Sequence, residues 1–222
     1  MRDKPVISAF CRAPDFAKGR VRDLRIRWAF EELGLHYDTH LLDAMSPRDE
    51  DYLRWQPFGQ VPALRDGEVA MFESGAILLY LAQRHGALLP EEPQARWQAV
   101  SWLFAALNSM EPPLMMLPLL TLVHGDEPWS AEAQAAIRPF VAQRFQRLGD
   151  ALGEREWLAG TFSIADIAMA SLFLIGIADL AAGQPRLAAY RDRAFARPAH
   201  QRARAAQLAD FVEDAPTPME GA

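Results

Sequence analysis

QPFGQVPALRDGEVAMFESGAILLYLAQR, residues 56–84, decides how the chain is read. Two short apolar runs, Val61–Leu64 and Val69–Phe72, flank Arg65-Asp66-Gly67-Glu68, and Asp-Gly between such runs is a hairpin signal. Pro62 has no N–H to give to a central ladder, so it belongs at the start of a strand or on an edge. Ser74 stands where a helix N-cap belongs, and the apolar run Ala76–Ala82 after it predicts a helix to about Arg84. The stretch reads strand, turn, strand, helix.

The pattern extends toward the N-terminus. Pro5–Phe10 is an apolar run read as a first strand. Leu24, Ile26, Trp28, Phe30 and Leu33 carry a first helix that Gly34 stops. Tyr37–Leu42 alternates as a second strand, and Asp49–Trp55 reads as a short helix. The order βαβαββα fills residues 1–86. GALLPEEP, residues 86–93, then marks a boundary, with 87–93 as linker.

From 94 to 222 no strand pattern recurs. Trp97, Val100, Phe104 and Leu107 form a helical stripe that Pro112-Pro113 should break or kink. Further helices fit 131–153, 163–181, 186–196 and 198–212, with a frayed tail from Glu213 to Ala222. A mixed α/β unit followed by an all-α helical bundle means two domains of unlike class.

Composition narrows the function classes. Half of the 222 residues are apolar, and the formal net charge is −6, the wrong sign for a nucleic-acid binder. One cysteine, Cys11, permits no intrachain disulfide and fits a reducing compartment. Met1–Pro5 lacks the apolar centre of a signal peptide. The apolar stretch Ile164–Ala178 contains Asp166, is too short for a bilayer, and reads as a core helix. A cytoplasmic protein without membrane or nucleic-acid partners is the expectation. His36, His40, His85, His124 and His200 show no ligand spacing, so no metal is expected.

Three motifs carry more. On spacing alone, Pro62 reads as an ordinary turn proline; a cis Val61–Pro62 bond would instead turn the Val61 N–H and C=O outward to pair with a peptide ligand. Glu73-Ser74 is either a plain cap beside a solvated carboxylate, or a grip on both charges of an α-amino acid head. Ser163 and Asp166, within Thr161-Phe162-Ser163-Ile164-Ala165-Asp166, have capping-box spacing and read as a folding element rather than a catalytic pair.

In order and spacing these pieces resemble the cytosolic glutathione S-transferase family over essentially the whole chain. Residues 56–84 look like that family's binding core, and GTFSIADI, residues 160–167, looks like its C-terminal folding signature. FAKGRVRDLRIRWAFEE, residues 16–32, resembles a bacterial subgroup with an Arg-rich first helix. The resemblance implies a thioredoxin-like first domain and glutathione as a substrate. It implies that Val61 pairs with the cysteinyl backbone ahead of a cis Pro62, that Glu73 and Ser74 hold the γ-glutamyl end, and that Gln60 assists. It further implies a homodimer and a detoxifying transferase acting on a small electrophile.

The family's Tyr, Ser or Cys activator has no counterpart: Arg20 falls at the Ser/Cys position and Ala9 at the Tyr position. A thiol of ordinary pKa about 8.5 needs its thiolate stabilised. Arg20, Arg22 and Cys11 are the candidates, with Ser8 weaker. Arg22 and Arg25 also read as surface charges paired with Asp23 and Glu31. Trp102, Phe104, Asn108, Met110, Met115 and Met116 are candidate walls for the second substrate, or simply helix-packing core. Three functions stay open: conjugation, thiol transfer through Cys11, and non-catalytic glutathione binding or interaction.

Overall fold

The computed structural model describes residues 4–175 and 183–212. Strands β1 (Val6–Arg12), β2 (Asp38–Asp43), β3 (Ala63–Asp66) and β4 (Val69–Phe72) form a sheet of order β2-β1-β3-β4. β1 runs parallel to β2, while β1–β3 and β3–β4 are antiparallel. Parallel β1 and β2 need a crossover, supplied by α1 (Asp23–Leu33). The short α2 (Glu50–Trp55) precedes β3, and α3 (Ser74–His85) follows β4, giving the thioredoxin-like βαβαββα order. Gly67, at φ 63°, supplies the left-handed backbone of the β3–β4 turn, where a Cβ would be strained. β1 extends past the expected Phe10 to Arg12, with a register irregularity between Phe10 and Arg12 that takes Cys11 into the strand.

The remaining elements are helical: α4 (Pro93–Phe104), α5 (Glu111–Pro118), α6 (Ser130–Leu152), α7 (Ile164–Ser171), α8 (Pro185–Phe195) and α9 (Pro198–Ala209). Pro112-Pro113 does not break the first of them. Helix runs on from Pro93 to Val123, and a wide π-type segment over Ala105–Met110 leads directly into the two prolines. Prolines are tolerated there because they stand at the start of α5, where the turn geometry changes and fewer N–H groups are owed. By length and composition this run is also apolar enough to cross a membrane; here it packs along α7 and α6. The helix expected over 163–181 is α7 followed by a 3-10 turn at Leu172–Ile175. Its remainder, 176–181, and the expected tail 213–222 lie outside the described residues.

One apolar core joins both parts. Ile7, Trp28, Phe30, Leu64 and Leu78 belong to the same buried cluster as Leu103, Phe145, Ile167 and Tyr190, each large side chain contributing about 1.5–3 kcal/mol. The Ser163–Asp166 capping box opens α7 inside this core. Asp166 accepts from the backbone N–H of Ser163 (3.0 Å) and of Leu158 (3.0 Å), and from the Tyr190 hydroxyl (3.1 Å). Burial raises its carboxyl pKa against those donors.

Helix α1 is the element on which sheet and bundle converge. Every residue from Asp23 to Phe30 is buried, because α3 covers one side and α7 and α9 cover others. The surface-charge reading of Arg25 is therefore corrected, and half-exposed Arg22 pairs with Glu111 rather than with Asp23 or Glu31. Arg27 Nε donates to Asp23 (2.7 Å) and its Nη2 to Asp210 (2.5 Å), while Gln207 donates to Asp23 (2.6 Å). Burial pushes the Asp23 carboxyl up to about 6, against the pull of Arg27 and Gln207. Glu31 reaches Arg202 of α9 instead.

Candidate functional site

The loop from α2 to β3 is held by its own polar groups. Gln56 is buried, and its Oε1 accepts from the N–H groups of Phe58 (2.7 Å) and Gln60 (3.2 Å). The Tyr52 hydroxyl donates to the Gln60 carbonyl (2.5 Å) and lies 2.8 Å from the Ser8 hydroxyl. Ser8 Oγ in turn accepts from Ala63 N–H (2.7 Å). Ser8 is thus a buried fastener under the start of β3. With these bonds made, the Val61–Pro62 peptide is cis, and Gln60, Val61 and Pro62 line a cavity of about 620 Å³.

The opposite wall comes from the start of α3. The N-cap is Glu73, not Ser74; Ser74 is the first helical residue, and no side chain caps this end. Glu73 holds φ 73°, a conformation non-glycine residues rarely adopt and one that concentrates at functional sites. Both Glu73 and Ser74 line the larger cavity. Helix N–H groups without a side-chain cap favour an anion.

Two arginines of α1's first turn close the floor. Arg22 Nε donates to Glu111 Oε1 (2.7 Å), and Arg25 Nη1 donates to Glu111 Oε2 (3.0 Å) and to Ser74 Oγ (3.3 Å). Burial would raise the Glu111 carboxyl, but the Arg25 and Arg22 guanidiniums outweigh it and hold the pKa below the usual range. Arg25 is 3% exposed, and its Nε is buried without a partner among the described residues. A second cavity, of about 370 Å³, opens on the far side of these arginines. Arg22, Arg25, Gln60, Val61, Glu111 and Met115 line both cavities and form the boundary between them.

The other candidates separate cleanly. Arg20 lines the smaller cavity alone. Cys11 lines neither: its thiol donates to the Leu42 carbonyl (3.5 Å), directed at β2. Phe104 and Asn108 line the larger cavity. Trp102 packs on the core and Met110 is buried within it, and neither lines either of these two cavities; Met116 faces solvent. Helical period explains the split, since residues two apart point to opposite faces. Two further site residues escape sequence reasoning: Gln56, and Glu111, whose partners lie 86 and 89 positions away. An acidic residue beside Pro112-Pro113, with a surplus of arginines in α1, was the available hint.

Comparison with known proteins follows the same lines. Residues 17–83 match the family model described as "Glutathione S-transferase, N-terminal domain". Glutathione S-transferase F10 of Arabidopsis thaliana is 33% identical over 150 residues, covering 62% of this chain and 68% of that protein. The disulfide-bond oxidoreductase YfcG of Escherichia coli is 34% identical over 134 residues, covering 53% and 58% respectively. A glutathione transferase family member from Pseudomonas fluorescens, solved with two glutathione bound, superposes with a TM-score of 0.78 at 25% identity, covering 90% of this chain and 92% of that one. Sheet order, the cis bond ahead of β3, the helical second part and these likenesses agree: the chain belongs to the glutathione S-transferase family.

Proposed function

We propose that this enzyme conjugates the thiolate of glutathione to an electrophilic, partly apolar small molecule. The observation that carries the reading is the pair of cavities sharing one cationic boundary. Glutathione occupies the larger, its cysteinyl backbone on Val61, its γ-glutamyl end on Glu73 and Ser74, and Gln60 beside it. The sulfur then lies at the boundary formed by Arg22 and Arg25, and the electrophile approaches from the smaller cavity. The thiol proton leaves to solvent, the sulfur lone pair forms the new S–C bond, and the leaving group departs with its bonding pair.

Activation is assigned to Arg22 and Arg25 rather than to Arg20 or Cys11. One pKa unit is about 1.36 kcal/mol, and an adjacent cation lowers a thiol's pKa. Arg22 and Arg25 line both cavities, and their guanidiniums supply the positive charge a thiolate needs at that boundary. Phe104, Asn108 and Met115 complete the substrate walls. We further assign residues 1–86 and 94–222 as two domains joined by linker 87–93, a cytoplasmic location, and a detoxifying homodimer. The dimer draws support from large apolar side chains left exposed on both parts, Phe58 on one and Trp97 and Phe140 on the other.

Disulfide reduction by glutathione is the second reading, favoured by the likeness to YfcG. With Cys11 turned toward β2, it would have to proceed without a protein thiol at the site. Calorimetry with glutathione, followed by assays with chlorodinitrobenzene and with a glutathione mixed disulfide, separates the readings. Binding with conjugation supports the first, binding with reduction alone the second, and no binding removes both.

A further inference from the structure

We propose that the second substrate carries a carboxylate on an apolar body, and that Arg20 pairs with that carboxylate. The proposal rests on the reading of the two cavities given above and specifies the occupant of the smaller one.

Charge is the starting point. Among the described residues, three guanidiniums of the smaller cavity, Arg20, Arg22 and Arg25, face one carboxylate, Glu111. Glu111 is already engaged by Arg22 and Arg25. The Arg20 guanidinium has no partner among the described residues. Among the described residues two positive charges are therefore in excess, inside a protein whose net charge is −6. A thiolate at the shared boundary offsets one of them. Arg20 does not line the larger cavity, so it is out of the sulfur's compartment and supplies the other.

The shape of the cavity limits what can answer that charge. Phe10, Phe16, Leu122, Leu174 and Ile175 form its apolar lining, and its volume of about 370 Å³ lies in the range of small-ligand pockets. A guanidinium is a planar fork that matches carboxylate geometry. A dianionic phosphate would bring more charge than the one positive charge left over. The match is an aromatic or aliphatic electrophile whose reacting carbon meets the boundary and whose carboxylate turns back to Arg20.

Two probes of equal chemistry test this: chlorodinitrobenzene and its ring carboxylate, chlorodinitrobenzoate. In both, sulfur bonds to the ring carbon, the C–Cl bond breaks, chloride leaves with the bonding pair, and the thiol proton passes to solvent. The readout is the kcat/KM ratio of the carboxylated over the neutral probe. Calorimetric affinities of the two finished glutathione conjugates give the same ratio without turnover. Arg20→Ala should lower either ratio about fivefold, the scale of a partly exposed ion pair, Arg20→Lys should retain part of it, and added salt should shrink the wild-type ratio. Unchanged ratios in Arg20→Ala, with glutathione still bound, overturn the proposal alone. Failure of wild type to bind glutathione or either conjugate overturns the site reading and this proposal with it.

Discussion

Replacing Glu111 by Gln should destabilise the protein by about 3 kcal/mol, and the size follows from what its carboxylate holds. Arg25 is 3% exposed and depends on Glu111 for its charge compensation. Breaking a buried pair from one side costs about 3–5 kcal/mol, because the remaining charge is stranded. Glutamine still accepts one hydrogen bond, which places the loss at the lower end. The Arg22 contact adds under about 1 kcal/mol, since the Arg22 side chain is 41% exposed and screened. For a chain of this length the loss corresponds to a fall in Tm of about 6–12 °C. The pH dependence has a fixed sign. The Glu111 carboxyl is depressed below its unfolded value of 4.5, so its stabilisation is complete above pH 4.5 and is lost as the pH falls through the lower folded value. The gap between wild type and Glu111→Gln should therefore close in acid. Urea titrations at several pH values measure it, with Arg25→Met added to complete a double-mutant cycle. Removing the stranded guanidinium should recover much of the loss. A loss under about 1 kcal/mol at neutral pH, or strictly additive single variants, refutes the reasoning.

Other expectations can be checked alongside. Ser74→Ala should weaken glutathione binding about tenfold or more by calorimetry, the scale of a lost hydrogen bond to a charged group; equal affinities would refute its assignment. Arg25→Met and Arg22→Ala should each raise the pKa of bound glutathione, read from thiolate absorbance, whereas Cys11→Ala should leave that titration where it is. Phe58→Ser should shift the mass measured by light scattering from dimer toward monomer at micromolar concentration. Unchanged mass would place the subunit contact elsewhere.

The parts of the fold that were legible from sequence are those set by local chemistry. Asp66-Gly67 predicts a turn because a left-handed residue is needed there, and Gly34 ends α1 for the same reason. Ser163 and Asp166 announce a helix start because both partners lie within one turn. Legibility fails where the deciding neighbour is distant. Arg22 and Arg25 read as surface charges paired with Asp23 and Glu31, since their actual partner, Glu111, is brought to α1 only by tertiary packing. Ser74 read as a cap, and the left-handed Glu73 took that place, a conformation against local preference. Pro112-Pro113 read as a break, and the wide segment just before it accommodates both rings. Trp102 and Met110 are wall candidates by residue type, while helical phase turns them toward the core.

The return of α9 across α1 bears on the order in which the chain can fold. The Asp23–Gln207 bond spans 184 residues and the Arg27–Asp210 bond 183. During synthesis the strands and α1 leave the ribosome long before α9 exists, so Asp23 and Arg27 must wait without their final partners. Until α9 has been made, the arginine-bearing end of α1 lacks the Gln207 and Asp210 side chains that close it. Contacts of such sequence separation form late and slow folding. A stalled or clipped chain ending before α9 would keep its sheet pattern but leave buried charges facing water, a form that proteases and chaperones can tell from the finished protein.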